Sequence, residues 1–345
     1  MNINNNNLNA ISLYRANARR RILLTAISLI ILLLIIAVWR ISKGDWEIEF
    51  VRVLHLLSPW LDEAERFSPE ALVIRSVRLP RLFAAVATGG LLSISGAVLQ
   101  GLLSNPLAEP YTLGIAAGAA FGGAIGLLFG TSSFIVTPAA FIGAMASLAC
   151  VGFIAWRSRG GSSQLVLAGI VANAVLSAGV TFLKAIADDK LGAIVLWLMG
   201  GFSGANFNSA LAAWGALILV LIFAFAYAPM LDAMSLCQER GAALGIDETK
   251  VRVILLIVTS LGIAAAVSSF GIIGFVGLVV PHLLRIFTGP AHRPLLLLSC
   301  LAGGVLLAGA DGAAQNLGEL PVGVLTALIG GPFFCWLLIR RGKGN

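Results

Sequence analysis

The chain has 345 residues, 59% of them hydrophobic and only 11% charged, with a formal net charge of +7. Soluble domains carry about 25% charged residues, so this balance excludes a soluble enzyme. The basic residues flank apolar runs, as the positive-inside rule requires, and form no stripe interleaved with aromatics, which sets nucleic-acid binding aside.

The start, Met1–Asn9, is Asn-rich and of low complexity, and the composition predicts no fixed structure there. Arg15, Arg19, Arg20 and Arg21 then lead into the apolar run Ile22–Val38. That run is longer than a signal-peptide core and no small-x-small cleavage site follows, so it reads as a retained first helix. About 20 apolar residues are needed to cross a hydrocarbon core of about 30 Å. On that criterion the spans are Ile22–Trp39, Leu82–Leu103, Tyr111–Phe129, Phe134–Trp156, Leu165–Leu183, Ala210–Met230, Val251–Phe270, Ile272–Arg285, Leu295–Ala310 and Val322–Ile339. Leu191–Gly204 is apolar but short and Gly-terminated, so nine or eleven spans also fit. Both ends are basic (Arg15–Arg21; Arg340, Arg341 and Lys343), which calls for an even number with both termini cytoplasmic.

With ten spans, Arg157, Arg159, Arg240, Lys250, Arg252, Arg285 and Arg293 fall on the cytoplasmic side. Lys184, Lys190 and the loop Arg40–Arg81 fall outside, and that loop's seven basic and seven acidic residues cancel. Within it, Trp46, Phe50, Val53, Leu54 and Leu57 recur at helical spacing and predict an amphipathic helix on the outer interface. Glycines at Gly114, Gly118, Gly122, Gly126 and Gly130 repeat every fourth residue, a spacing that lets helix backbones approach closely in lipid.

The chain contains no G-x-x-x-x-G-K-[ST] phosphate loop, so it does not hydrolyse ATP through one. Cys150, Cys237, Cys300 and Cys335 are too widely spaced for a metal site or a disulfide framework. His55, His282 and His292 sit in loops or at span ends, with no carboxylate at ligand spacing. Ion-coupled carriers keep an ionisable group at mid-membrane. The candidates here, Asp311 and Glu319, lie near the outer end of the last hairpin, which argues against that class but leaves it as the alternative.

Four ordered segments carry a resemblance. The first is RLPR (Arg78–Arg81) with SGAVLQ (Ser95–Gln100) and NPLAEPYTLGIAAGA (Asn105–Ala119). The second is SSQLVLAGI (Ser162–Ile170) with WLMGGFSGA (Trp197–Ala205), and the third is RGAALGI (Arg240–Ile246). The fourth is GFVGLVVPHLLRIFTGPAHRPLL (Gly274–Leu296) followed by ADGAAQNLGELPVGVLTALIGGPFF (Ala310–Phe334). In this order they resemble the FecCD-type permease subunits of ABC importers for ferric siderophores, haem and cobalamin.

The resemblance implies an all-α polytopic membrane protein of about ten tightly packed transmembrane helices in two pseudo-symmetric halves. Its implied organisation is a cytoplasmic tail at 1–21, a single permease domain at 22–340 and a cytoplasmic tail at 341–345. A periplasmic or interfacial loop occupies 40–78 and a cytoplasmic coupling loop 231–248. The implied function is ATP-driven import of a chelate across the bacterial inner membrane. The resemblance implies no cofactor bound by this chain itself, with ATP and Mg held by a partner ATPase. The implied partners are a second permease copy, two ABC ATPase subunits and a soluble periplasmic or lipid-anchored substrate-binding protein, besides membrane lipid. Whether the second permease is an identical copy or a paralogue stays open, as does the chelate.

Family roles fall on particular residues. Arg240, Gly241, Ala242, Ala243, Leu244 and Gly245 match the element that couples to the ATPase, with Asp247 and Glu248 as the N-cap and first turn of the next span. Arg78 and Arg81 match arginines that dock the binding protein, while Gln315 stands where the family has a third. Asn105, Leu107, Ser162 and Ser163 match a gate at the cytoplasmic mouth.

Overall fold

The computed structural model describes residues 5–44, 46–58, 62–158, 162–236 and 247–342. The first helix, α1 (Asn5–Ser42), begins well before Ile22, so most of the stretch expected as a tail is helical. Extending a helix costs far less than nucleating one, and the apolar run supplies the nucleus. Next come three short helices, α2 (Phe50–Leu56), α3 (Glu63–Arg66) and α4 (Pro69–Leu72). A π-turn over Val73–Arg78 joins α4 to α5 (Leu79–Leu102). A single 3-10 turn, Pro110–Leu113, precedes α6 (Ile115–Phe129), α7 (Ser133–Arg157) and α8 (Ser162–Ala185). The chain ends through α9 (Leu191–Leu198), α10 (Phe207–Leu236), α11 (Glu248–Phe270), α12 (Val276–Thr288), α13 (His292–Asn316) and α14 (Val322–Gly342).

Seven helices among the described residues are long and apolar enough to cross a membrane, and three shorter apolar ones, over Ile115–Phe129, Val276–Thr288 and Val322–Trp336, make the ten expected. The ambiguous stretch resolves as α9, eight residues long, followed by a turn at Gly200 (φ +68°). At about 1.5 Å per residue, α9 is far too short to span.

Helix α5 is the axis of the molecule. Nearly all its residues are buried, and it packs against α13, α10, α12 and α11. Its Ala-, Gly- and Ser-rich sequence explains this placement, because small side chains admit neighbouring backbones where lipid supplies no hydrophobic drive. A Cβ on Gly89 would lie 2.1 Å from the Gly303 carbonyl oxygen of α13, and one on Gly96 would lie 1.9 Å from that of Gly277 of α12. The predicted glycine stripe divides its labour. Gly118 and Gly122 seat α6 on α7, whereas Gly114 (φ +76°) makes the turn into α6 and Gly130 ends it.

The predicted interfacial helix is shorter than expected. Phe50, Val51 and Leu54 of α2 are exposed while Val53 and Leu56 are buried. The loop around it is tied by Arg52, which pairs with Glu65 at 2.9 Å and Glu70 at 2.8 Å. Those bonds hold the Glu65 carboxyl below its ordinary pKa and raise that of the Arg52 guanidinium.

Candidate functional site

Two clusters of polar side chains lie at opposite ends of α5. At its N-terminal end two arginines, Arg40 and Arg81, meet two carboxylates, with a third arginine, Arg78, close by. Arg81 donates through Nε to Asp311 Oδ2 at 2.9 Å and through Nη2 to Asp311 Oδ1 at 3.0 Å, while Nη1 reaches Glu319 Oε1 at 3.0 Å. Arg40, at the end of α1, donates to the same Asp311 and to Gln315. Arg78 turns the other way and donates to the carbonyl oxygens of Ile41 and Trp46, closing the exit from α1. Both matched arginines are therefore engaged inside the chain, with Arg78 at 7% exposure and Arg81 at 6%. The exposed group of the cluster is Glu319, whose side chain is 42% accessible beside Asp311 at 1%. Gly318 (φ +87°) and Glu319 (φ +57°) turn the chain sharply out of α13 and present that carboxylate on the rim. The packing also accounts for Gln315: it accepts the spare N–H of Arg40, where a third cation would have faced repulsion.

At the other end, the turn after α5 holds its shape through its own side chain, with Asn105 Oδ1 accepting from the Leu107 N–H at 2.9 Å. Leu107 is 43% exposed beyond it. Asn105 lines a cavity of about 440 Å³ together with Ser104, Ser163, Val166 and Ile170. Two of the matched gate residues, Asn105 and Ser163, thus share one cavity although they come from different helices. Leu107 does not line it. The side chain of Ser162 lies outside the described residues, as does the whole coupling element from Arg240 to Gly245. The cap after that element is present: Asp247 Oδ1 accepts from the Lys250 N–H at 3.0 Å.

The connection between the two ends is closely tied. Asn173 of α8 donates to the Tyr111 carbonyl oxygen at 2.8 Å, and Tyr111 Oη accepts from the Ile273 N–H at 2.8 Å. A Cβ on Gly169 would lie 2.1 Å from the Thr112 carbonyl oxygen, so α8 rests directly on the 3-10 turn that leads into α6. Helix α8 therefore packs on the Pro110–Leu113 turn, which follows Asn105 in the chain.

Sequence reasoning also missed the pair of Asp232 and His292. Asp232, near the end of α10, accepts at Oδ1 from the His292 N–H at 2.8 Å and lies 2.6 Å from His292 Nδ1. It caps α13 and anchors the end of α10 to it. No spacing rule pairs residues 60 positions apart. The signal available in the sequence was a histidine just before an apolar run, at a helix start whose free N–H groups need an acceptor.

Comparison with known proteins places these features. The model of the FecCD transport family matches residues 29–340. The haemin transport system permease of Yersinia pestis is 38% identical over 279 residues, covering 77% of this chain and 83% of its own. The vitamin B12 import system permease of Vibrio cholerae is 38% identical over 303 residues, covering 84% and 91%. The molybdate import system permease of Haemophilus influenzae is 32% identical over 322 residues, covering 92% and 96%. An inward-facing structure of a metal-chelate type ABC transporter superposes with a TM-score of 0.80 at 31% identity, over 91% of this chain and 98% of that one. Ten apolar helices, the four ordered segments and these matches together show that the chain belongs to the FecCD transport family of ABC importer permeases.

Proposed function

We propose that the chain carries a metal chelate inward across the bacterial inner membrane, with both termini in the cytoplasm, as the permease of a complex with two ATPase subunits and an external binding protein. The observation that carries this reading is the fold shared over 91% of the chain with a metal-chelate type transporter. A second permease subunit completes the pathway, and an identical copy is the simplest assembly. The binding protein docks on the rim formed by Glu319 above Arg78 and Arg81, where electrostatic complementarity sets encounter and register more than raw affinity. The two arginines act there by fixing the rim and its potential. Asn105, Leu107, Ser162 and Ser163 form the gate, and Arg240–Gly245 transmits ATPase movement to it. The ligands printed for the relatives (haemin, vitamin B12 and molybdate) differ widely, which fits a pathway that works by access and not by tight recognition.

Uptake into proteoliposomes holding the assembled complex tests the reading. Transport requires ATP on the ATPase side and persists when a protonophore collapses the proton gradient. Uptake that follows the gradient and ignores ATP would instead establish an ion-coupled carrier. Within the assembly, Gly241→Trp abolishes uptake while leaving the amount of membrane-inserted chain unchanged, and normal uptake by that variant would remove the coupling assignment.

A further inference from the structure

Helix α8 is the least enclosed of the spans after α1, with 17% of its apolar window buried. Its open sides differ. One side, at Val171 and Val175, lines an apolar groove against α6 and α7. Another bears Asn173, Ser177, Thr181 and Lys184, residues three or four apart and therefore stacked on one helix face. These four line a cavity of about 340 Å³ whose opposite wall is Tyr111 and the alanines at the start of α6. Continuing the same face toward the N-terminus of α8 gives Ile170, Val166 and Ser163, which line the cavity at Asn105. One helix face thus runs from the cavity at Asn105, past the aliphatic side chains of Val166 and Ile170, to a second cavity with one polar wall.

Polar side chains on a membrane helix face the bundle interior or water, because lipid satisfies none of their hydrogen bonds. Here Ser177 and Thr181 are exposed in the single chain. Lys184 forms no ion pair among the described residues, and the nearest carboxylates in sequence, Asp188 and Asp189, are exposed on the following turn and form none either. Lys190 instead donates to the Leu128 carbonyl oxygen. The chamber therefore presents hydroxyls, an amide and one uncompensated cation.

We propose that this chamber is a waiting site for an anionic, oxygen-rich ligand, with Lys184 attracting its negative oxygens and the Ser177 hydroxyl and the second amide N–H of Asn173 offering hydrogen bonds further in, while Thr181 lines the wall with its own O–H donated to the Ser177 carbonyl oxygen. The proposal rests on the importer reading and adds the charge class of the cargo and the residues that meet it.

The test needs no knowledge of the cargo. Ser177→Cys is introduced into the full chain in intact cells. Its reaction with anionic and cationic methanethiosulfonate reagents added from outside is read as the excess over the parent chain, which has cysteines of its own. Lys184 lies seven residues away, about 10 Å along the helix. At that distance its charge raises the anionic-to-cationic rate ratio, and Lys184→Gln lowers the ratio at least about threefold. Val175→Cys, in the apolar groove, stays unreactive to both. Thr181→Cys is measured in the same way if Ser177→Cys fails to insert. Cysteines at 177 and 181 that are both unreactive would mean that lipid or a second copy covers this face, and would overturn the proposal. A ratio unmoved by Lys184→Gln would overturn it equally. A dry face would leave ATP-driven uptake standing, and a wet cationic face would survive the loss of the ATPase partner, so the two readings fail separately.

Discussion

Asp311 is the residue on which the outer cluster depends. A buried carboxylate is costly unless paired, and removing one partner strands the other charge. Arg81→Met leaves Asp311 with Arg40 alone, and the expected loss is about 3 kcal/mol, read as a lower midpoint in thermal unfolding of the purified chain. Glu319→Gln removes a carboxylate with 42% of its side chain accessible, and costs about 1 kcal/mol or less. Equal losses from the two variants would contradict the hierarchy drawn here. The sequence marked Arg78, Arg81, Asp311 and Glu319 individually, each as a charge at a span end. It did not show that Arg81 and Asp311 bond across 230 positions, because no local pattern records a contact between the start of one helix and the end of another. Arg40 was read as a loop boundary for the same reason.

Among the helices, the close seats of α5 are the structural commitment. Gly89→Ala forces a Cβ to within 2.1 Å of a backbone oxygen that cannot swing away. Separating α5 from α13 to relieve it costs about 2–3 kcal/mol, as overpacking does elsewhere. Gly215 of α10 has nothing within 4 Å of its would-be Cβ. Gly215→Ala accordingly gains up to about 1 kcal/mol of helix propensity. Unfolding midpoints of the two variants, measured in one detergent, should move in opposite directions. The helices themselves were legible because the apolar runs set their number and approximate ends. The short α9, the ordered helix before Ile22 and the capping roles of Gly114 and Gly130 were not. Those depend on where the chain must turn, which a periodic pattern of small residues does not encode.

At the scale of the whole molecule, one face of α8 links the chamber at Lys184 to the cavity at Asn105 and Ser163, and Gly169 seats α8 on the turn between α5 and α6. Such an arrangement can switch access without chemistry on the cargo, provided an external engine moves it. Membership of the FecCD family of ABC importer permeases puts that engine in another subunit. The most direct measurement is native mass spectrometry of the tagged chain purified from its own membranes in mild detergent. The account predicts a stoichiometric P-loop ATPase together with a second permease subunit. Repeated recovery of the chain without an ATPase, under conditions in which a control ABC complex stays intact, would contradict it.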